Sequence, residues 1–396
     1  MELMINRMIE TYPTHKIFIT TAQNQLFLTA SITEHDADPS QSVEQIYDRI
    51  AQLLSVSSYQ IVQERCFGDI EFQMQLTEIR ARTFQKYAIE TNTPITYIEG
   101  KSCSGAHFAG MQMRAIHSTP EIQIRTILDQ GIPKGRAWNL NGATFFMLHS
   151  VNGGDTSNHA SRTSQTETMF HQAENLLRTA GATYQDVVRT WIYLSDILDW
   201  YGEFNTVRNR CYVDYGFLGD SKVQAEQIYL PASTGIEGNN PSGRPATMDV
   251  FAIHRSDQSA TIVRAISGTK QRSPFRYGSA FSRAMIVEDS SSKLILVSGT
   301  ASIDEQGKSV HAGDSAAQIH QSLNVVAALA EGEGATLQDL CEVTVFIKRK
   351  EDFPVFQKVI EQVGIPNIPS VNVVADVCRE ELLFELDAVF IIAKKQ

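Results

Sequence analysis

The segment Leu382-Leu383-Phe384-Glu385-Leu386-Asp387-Ala388-Val389-Phe390-Ile391 is an apolar run that contains two carboxylates. Because side chains alternate across a strand, Glu385 and Asp387 share one face of the predicted strand, and the apolar side chains beside them share the other. Carboxylates are rarely buried fully unless a partner compensates them. An acid that is retained in such a strand is therefore a candidate proton donor.

This strand closes the last of three copies of a β-α-β-α-β pattern. Each copy has an opening strand, a helix, a second strand, a second helix and a closing strand. We predict opening strands at residues 26–31, 145–150 and 294–299, followed by helices at 43–54, 166–180 and 316–330. We predict second strands at 60–67, 186–193 and 339–346, second helices at 71–87, 199–214 and 352–363, and closing strands at 108–116, 246–253 and 384–391.

The spacing of the copies predicts an α+β protein with three lobes. Their period of roughly 120–150 residues exceeds the about 20–50 residues of solenoid repeats. The first helix of copies two and three ends in the same Gly-Ala-Thr stop, at Gly181 and Gly334. Glycine suits the left-handed residue that closes a helix. We therefore predict lobes at residues 1–118, 119–256 and 257–396.

Composition excludes several classes of protein. The 396 residues carry a net charge of −11, which argues against a nucleic-acid binder because phosphate contacts need a basic surface. No apolar run reaches the ~18–20 residues of a membrane span, and the N-terminus lacks the pattern of a signal peptide. The five cysteines have neither disulfide-framework nor zinc-site spacing. We expect a cytoplasmic protein with reduced thiols and no metal or organic cofactor.

The second and third copies resemble the YjgF/RidA fold, which is also called chorismate mutase-like. In the third copy the resemblance rests on Val297-Ser298-Gly299-Thr300, Gly334-Ala335-Thr336 and Phe384-Glu385-Leu386-Asp387-Ala388, and in the second on Gly181-Ala182 and Asp186-Val187-Val188. Proteins of this fold are typically trimers with ligand sites between subunits. The resemblance implies that the chain is a trimer made covalent, an intrachain pseudo-trimer that we expect to be a monomer.

A closer resemblance is to the chorismatases, which carry this fold and cleave chorismate. Four segments support it: Asp196-Ile197-Leu198-Asp199-Trp200-Tyr201-Gly202-Glu203-Phe204-Asn205, Leu230-Pro231-Ala232-Ser233-Thr234-Gly235-Ile236, Tyr277-Gly278-Ser279-Ala280-Phe281-Ser282-Arg283, and Ala375-Asp376-Val377-Cys378-Arg379-Glu380-Glu381-Leu382. The resemblance implies chorismate as the substrate, Glu385 as the catalytic acid and Cys378 in the same pocket. A cysteine there accompanies hydroxybenzoate formation, so we expect pyruvate and 3-hydroxybenzoate, with a dihydroxycyclohexadiene carboxylate as the other possible product.

Comparison of the three closing strands supports Glu385 as the catalytic acid. When Asp387 is aligned with Asp249 and Gln112, Glu385 falls opposite Thr247 and Gly110. Only one of the three equivalent clefts would then hold the acid, so we predict one active site per chain, between lobes two and three. Protonation of the terminal methylene carbon of an enol ether needs an acid that is still protonated near neutral pH, and burial raises a glutamate pKa.

Further candidates would bind the substrate. Any carboxylate of the substrate needs cations, for which we select Arg208 and Arg283, with Arg189 behind them. Asn205 lies in the second helix, where YjgF/RidA proteins have a ligand-contacting asparagine. The complete set of predicted substrate-binding residues is Tyr201, Asn205, Arg208, Ser233, Thr234, Gly235, Arg283 and Gly299. We interpret 233–235 as a turn that lines the cleft.

Other interpretations stay open. In YjgF/RidA proteins an arginine lies fifteen residues before the acid, and Ser370 stands there in this chain, so a RidA-like imine or enamine deaminase is the second candidate. A non-catalytic protein that binds a small acid is the third. Cys378 could be a small buried hydrophobe and Tyr201 a packing residue. Arg208 could form a surface salt bridge, and Arg283 a salt bridge between lobes.

Overall fold

The computed structural model describes residues 5–34, 38–154, 160–217, 230–266 and 280–394, and all structural statements refer to them. Three of the residues that carry the chorismatase resemblance, 277–279, lie outside the described residues. The described chain forms three β-sheets, each covered by two helices on one face. No helix in the described ranges is both long and apolar enough to cross a membrane.

Each sheet is built mainly from one copy of the sequence pattern. The first copy contains β1 (Asn6–Thr11), β2 (His15–Ala22), β3 (Gln25–Ile32), α1 (Ser40–Val56), β4 (Tyr59–Gly68), α2 (Gln73–Lys86), β5 (Thr96–Glu99), β6 (Lys101–Ser102) and β7 (Phe108–His117). The second contains β8 (Ile124–Asp129), β9 (Ile132–Leu140), β10 (Ala143–Asn152), α3 (Arg162–Ala180), β11 (Val187–Leu194), α4 (Ile197–Asp214), β12 (Ala232–Glu237) and β13 (Ala246–Arg255). The third contains β14 (Ile262–Ile266), β15 (Ala284–Glu288), β16 (Ser292–Ala301), α5 (Ser315–Glu331), β17 (Leu340–Ile347), α6 (Phe353–Gln362), β18 (Ser370–Val374) and β19 (Phe384–Ala393).

The strand order is the same in all three sheets, as expected for repeated units. The orders are β1-β2-β3-β7-β4-β5, β8-β9-β10-β13-β11-β12 and β14-β15-β16-β19-β17-β18. In each sheet the closing strand lies between the two strands predicted before it and runs antiparallel to both. The α+β fold with three tandem units is therefore confirmed. The exact lobe boundaries remain a prediction, because β6 of the first copy pairs with β18 in the third sheet.

The predicted elements are all present, but the pattern was incomplete. Every lobe adds two strands before the predicted opening strand and one parallel strand before the closing strand. The interpretation of residues 233–235 as a turn was wrong, since they lie within β12 and pair with β11. The glycine stops are confirmed: Gly181 and Gly334 have φ of 100° and 82°, and the residue after each donates a backbone hydrogen bond into the last helical turn.

The two faces of each sheet have different roles in packing. One face of each sheet packs against its own two helices, which gives three separate apolar cores. The opposite faces of the three sheets pack against one another around a fourth core that contains residues of all lobes. The lobes therefore meet through buried sheet surfaces, and clefts form where a closing strand of one lobe faces the parallel strand of another.

Arg65 connects all three lobes within this shared core. The side chain is completely buried on β4 of the first lobe, and its Nη2 donates to Glu342 Oε1 on β17 of the third lobe. Its guanidinium lies 4.3 Å from the ring centroid of Trp191 on β11 of the second lobe. Burial lowers the pKa of Arg65, but the combined attraction of Glu342, Tyr193, Asp387 and Asp249 outweighs burial and keeps that pKa above its ordinary value.

This ion pair predicts an asymmetric response to mutation. Glu342→Ala leaves the Arg65 cation buried without a counter-charge, and we expect it to lower the free energy of unfolding by about 3–5 kcal/mol. The double variant Arg65→Met/Glu342→Leu removes both charges and should recover most of that loss. Urea unfolding followed by circular dichroism measures both. A single variant as stable as the wild type would contradict the structural role of the pair.

Candidate active site

One pocket opens between lobes two and three, with Glu385 in its wall. It brings together all of the predicted site residues except Asn205 and Thr234. Among the described residues the lining consists of Tyr201, Arg208, Ser233, Gly235, Phe281, Arg283, Gly299, Ala301, Ile303, Cys378, Arg379 and Glu385. Lobe two contributes α4 and β12, and lobe three contributes β16, β19 and the segment before β19.

Glu385 is a buried acid without a hydrogen-bond partner among the described residues. It lies on β19, where it is paired with Ala301 of β16 and Phe346 of β17, and it is 5% exposed. Burial raises the pKa of Glu385 to about 8, and the negative charge of Asp387 adds to this, whereas Arg189 and Arg283 oppose it. The carboxyl group is therefore mainly protonated at neutral pH.

Asp387 is held beside Glu385 by hydrogen bonds from lobe two. Its Oδ2 accepts hydrogen bonds from Thr234 Oγ1 at 2.8 Å and from Arg189 Nη2 at 3.2 Å, both from lobe two. Arg189 Nη2 also donates to Thr234 Oγ1 at 2.6 Å. Thr234 and Arg189 thus lie behind the pocket wall and fix the position of Asp387, although we had predicted that Thr234 would contact substrate.

A bulge in β16 makes space for the Glu385 carboxyl. The pairing register between β16 and β19 shifts between Val297 and Thr300, and Gly299 lies in this bulge. A Cβ atom at Gly299 would overlap Glu385 Oε1. Ser298 joins the two lobes at the same place, because its Oγ accepts from Ser233 N at 2.8 Å and donates to Ser282 O at 2.6 Å. Position 299 therefore has to be glycine, because any side chain there would occupy the space of the Glu385 carboxyl group.

Arg208 is a buried cation in the pocket wall. It is 1% exposed, and its guanidinium lies 5.3 Å and 5.7 Å from the ring centroids of Phe204 and Phe281. Its Nη2 donates to Asn205 Oδ1 at 2.5 Å, and no described carboxylate forms a salt bridge with it. The alternative of a surface salt bridge is therefore wrong. A buried arginine that faces a pocket without a counter-charge is a suitable binding group for an anion.

Asn205 and Arg283 have different positions relative to the pocket. Asn205 does not line it; its side chain accepts from Arg208 and donates to Tyr201 O at 2.9 Å, so it supports two lining residues from behind. Arg283 is 3% exposed in the wall, with its guanidinium 5.7 Å from the Phe281 ring centroid. Two arginines from different lobes therefore line the same pocket around one aromatic ring.

Cys378 and Tyr201 form the partly exposed side of the pocket. Burial, together with the nearby Glu385 carboxyl, raises the pKa of the Cys378 thiol to about 12, so it stays protonated and is a poor nucleophile. Burial likewise raises the pKa of Tyr201 above its ordinary value, and its hydroxyl remains a donor. These groups can shape the cavity and form hydrogen bonds, but neither is set up as a base.

Sequence reasoning missed four lining residues. Phe281 and Arg379 lie in segments that carry the family resemblance but were not selected, because neither has a pattern that separates it from its neighbours. Arg379 Nη1 donates to Gly307 O at 3.0 Å and to Ser309 Oγ at 3.1 Å. Ala301 and Ile303 follow the bulge, which changes the direction of side chains after Val297, so simple alternation could not place them.

The strand registers identify the matching positions in the other two clefts. Thr247 and Gly110 occupy the position of Glu385, as the sequence alignment predicts. Between lobes one and two, Asp249 Oδ1 accepts from Thr96 Oγ1 at 2.5 Å, which repeats the contact between Asp387 and Thr234. Tyr97 there occupies the position of Gly235, and its side chain packs in the core of lobe one, where its hydroxyl donates to Asp69 O at 2.7 Å. Glu385 is therefore the sole acid at this position in the three clefts.

The position of Ser370 needs a correction. Ser370, which lies fifteen residues before Glu385 in the same lobe, is on β18. The strand that faces Glu385 is instead β12 of lobe two. The strand registers make Ser233 of β12 equivalent to Ser370 of β18. The pocket therefore has Ser233 at the position where the counted arginine would stand. The conclusion that this position has no arginine is therefore unchanged, but the residue that stands there is Ser233 rather than Ser370.

The pocket is narrow. Its cavity is about 50 Å³, which is room for one or two water molecules. A ligand with a six-membered ring therefore requires the walls to move. Tyr201, Phe281, Cys378 and Arg379 are half-exposed lining side chains, and they can move at a lower cost than the buried arginines.

Comparisons with known proteins agree with this arrangement. The family model described as Endoribonuclease L-PSP matches residues 151–237 and 276–391. A chorismatase of Streptomyces hygroscopicus is 25% identical over 319 residues, which are 75% of this chain and 85% of the relative. A 3-hydroxybenzoate synthase of the same organism is 25% identical over 306 residues, which are 69% and 86% of the two chains. A crystal structure of a chorismatase has a TM-score of 0.59 at 18% identity, over 84% of this chain and 93% of that one, so the fold is shared.

The raised pKa of Glu385 predicts how Glu385→Gln changes stability with pH. Between pH 4.5 and about 8 the unfolded chain releases this proton while the folded protein keeps it, so stability falls as pH rises through that window. Glutamine resembles the protonated acid and avoids this loss. At pH 8.5 we expect Glu385→Gln to melt at least about 2–4 °C above the wild type, with the difference disappearing near pH 4. Equal melting temperatures at pH 8.5 in differential scanning calorimetry would mean that the acid is not held protonated.

Proposed function

Because this chain belongs to the Endoribonuclease L-PSP family, also known as YjgF/RidA, and has chorismatase relatives over most of its length, we propose that it is a chorismatase. The observation that carries the proposal is the buried, protonated Glu385 in a pocket with two buried arginines. An acid of this kind and paired cations are what cleavage of an anionic enol ether needs.

Glu385 would act as the general acid. The enolpyruvyl ether of chorismate becomes labile when its terminal methylene carbon gains a proton, which leaves an oxocarbenium ion at the ether carbon. Carbon accepts a proton slowly, so the acid has to be protonated and held against the substrate when it binds. A pKa of about 8 keeps Glu385 in the acid form at neutral pH. After transfer, its carboxylate would stabilise the adjacent cation by charge.

The two arginines would bind the carboxylates of the substrate. Arg208 comes from lobe two and Arg283 from lobe three, so a dianion held between them would connect both walls of the pocket. The guanidinium group forms bidentate hydrogen bonds with carboxylates, which orients the substrate as well as binding it. The Phe281 ring, within 6 Å of both guanidinium groups, offers an apolar face to the ring of the substrate.

The oxocarbenium ion can then react in two ways. Attack by water gives a hemiketal, whose bond between the former ether carbon and the ether oxygen then breaks. The oxygen stays on the ring as a hydroxyl group, and the products are pyruvate and a dihydroxycyclohexadiene carboxylate, with one water consumed. Attack by the ring hydroxyl of the substrate gives a strained intermediate that collapses to pyruvate and hydroxybenzoate, with no net water consumed. We favour 3-hydroxybenzoate, because the protonated Cys378 thiol borders the pocket beside Glu385 and one relative is a 3-hydroxybenzoate synthase.

A RidA-like imine or enamine deaminase is a weaker alternative. Ser233 stands where the arginine of that arrangement would be needed, and serine cannot form its bidentate contact with a carboxylate. A non-catalytic protein that binds a small acid is also a weaker alternative. Burial of Glu385 without a hydrogen-bond partner among the described residues lowers stability, and a protein without catalytic activity would gain nothing from it.

The central test is Glu385→Gln with chorismate as the substrate. We expect pyruvate release, followed with lactate dehydrogenase, to fall by about 10²–10⁴-fold, because glutamine cannot donate a proton to carbon. Glu380→Gln is the matched control, since Glu380 is exposed nearby, and it should keep its activity. Retention of most activity in Glu385→Gln would refute the role of the acid. Turnover of 2-aminoacrylate without pyruvate release from chorismate would favour the deaminase.

A second test concerns the pH dependence of the rate. The reaction needs protonated Glu385, so the rate should fall as pH rises through about 8. The Asp387 carboxylate helps to raise the pKa of Glu385, and Asp387→Asn should therefore move this fall to a lower pH. Thr234→Val keeps the Asp387 charge while removing its hydrogen bond, so it should not lower the pH of the fall. An unchanged profile in Asp387→Asn would contradict the electrostatic coupling.

A further inference from the structure

A second crevice lies between lobes one and two, and it shares no lining residue with the Glu385 pocket. Its cavity is about 520 Å³, within the ~300–1,000 Å³ of small-molecule sites. We propose that this crevice, which we name the Arg136 crevice, binds a small carboxylate attached to a six-membered ring. The residues that define it are Tyr59, Gln60, Tyr87, Glu90 and Arg136.

Arg136 is the buried cation of this crevice. It lies on β9 of lobe two and is 2% exposed. Its Nη2 donates to Gln60 Oε1 of lobe one at 3.0 Å, and its Nη1 donates to Thr126 Oγ1 at 2.7 Å. Its Nε has no hydrogen-bond partner among the described residues. A buried guanidinium with unused donor capacity favours an anion.

The protein offers this cation only a weak counter-charge. Among the described residues the carboxylate paired with Arg136 is that of Glu90, whose Oε1 is 3.6 Å from Nη1 and whose side chain is 51% exposed. A pair that is long and open to water contributes little. In contrast, the buried Arg80 of lobe one forms an ion pair with the buried Glu64 at 2.8 Å. The carboxylate of Glu90 therefore stands near the position that a ligand carboxylate would take, without filling it tightly.

The corresponding crevices differ at this position. By strand register Arg136 matches Thr20 in lobe one and Met285 in lobe three, because these residues face equivalent positions of β10, β3 and β16. The equivalent crevice between lobes three and one is lined by Thr20 with mostly apolar neighbours, among them Leu337 and Leu340. Among the described residues, therefore, one of the three equivalent positions has an arginine. In the same way, one of the three equivalent closing-strand positions has an acid, Glu385.

The walls of the Arg136 crevice fit a ring. Tyr59 and Tyr87 line it together with the aliphatic side chains of Leu54, Ile61 and Ile89. Flat aromatic walls bind rings by offset or edge contacts. Ser58, Ser118 and Thr93 also line the crevice; the hydroxyls of Thr93 and Ser118 donate to Ile61 O and Ile122 O, and each can still accept a hydrogen bond from a polar ring substituent. A carboxylate on Arg136 and a ring against the tyrosines define the ligand as a benzoate-like acid.

Isothermal titration calorimetry with benzoate tests the proposal. The Arg208→Met/Arg283→Met background removes both buried arginines from the Glu385 pocket, so benzoate binding that remains reports the Arg136 crevice. We expect benzoate to bind with one site, whereas benzamide, which has the same shape without the charge, should bind at least tenfold more weakly. Acetate, which lacks the ring, should also bind at least tenfold more weakly. This binding does not depend on whether the protein cleaves chorismate.

Two further variants in that background should have opposite effects. Arg136→Lys keeps the charge but loses the planar fork, and it should weaken benzoate binding at least tenfold. Glu90→Gln removes the competing carboxylate and should strengthen binding severalfold. Melting temperatures near that of the background establish that the variants fold. Benzoate binding that neither change alters, equal binding of benzamide, or no benzoate binding at all would overturn the proposal.

Discussion

The hydrogen bonds from Thr234 and Arg189 to Asp387 are the contacts on which the Glu385 pocket depends. They join β12 and β11 of lobe two to β19 of lobe three, and they fix the position of the buried Asp387 carboxyl group. Asp387 lies two residues from Glu385 on the same face of the strand, so its charge opposes ionisation of its neighbour. Packing between lobes thus sets the protonation state of the acid as well as the shape of the pocket.

The three clefts of one chain provide an internal comparison that a homotrimer lacks. The hydrogen bond between Thr96 and Asp249 connects lobes one and two. It repeats the hydrogen bond between Thr234 and Asp387, which connects lobes two and three. What differs is the residue two positions before the aspartate: Thr247 in one cleft and Glu385 in the other. A single chain allows each cleft to change separately, which also permits a cation at Arg136 where the other lobes have Thr20 and Met285.

Sequence reasoning gave the order of the main elements and most of the pocket. Periodicity and the Gly181 and Gly334 stops located helices and strands, because alternating burial and helix ends are local properties. Most of the outer strands lie outside the predicted pattern, since several are half-exposed and lack alternation. Ser233, Thr234 and Gly235 predict a turn because their side chains are polar or small, but their strand conformation in β12 is set by pairing with β11.

Long-range contacts also explain the remaining differences within the site. Thr234 and Asn205 lie behind the lining because the hydrogen-bond partners that turn them away, Asp387 and Arg208, come from other strands or another helical turn. Ser233 rather than Ser370 faces Glu385, because the pocket is completed by the neighbouring lobe. The positions of Thr234 and Ser233 are set by contacts between lobes rather than by spacing along one segment, whereas the contact between Asn205 and Arg208 lies within α4.

Difference infrared spectroscopy of the unliganded protein tests the central claim most directly, since the C=O stretch of a protonated carboxylic acid is separate from the carboxylate bands. Spectra of the wild type minus Glu385→Gln at pH 7 should contain this band, and it should fade as pH is raised past about 8. A difference spectrum at pH 7 that contains only carboxylate bands would contradict a protonated acid in the cleft.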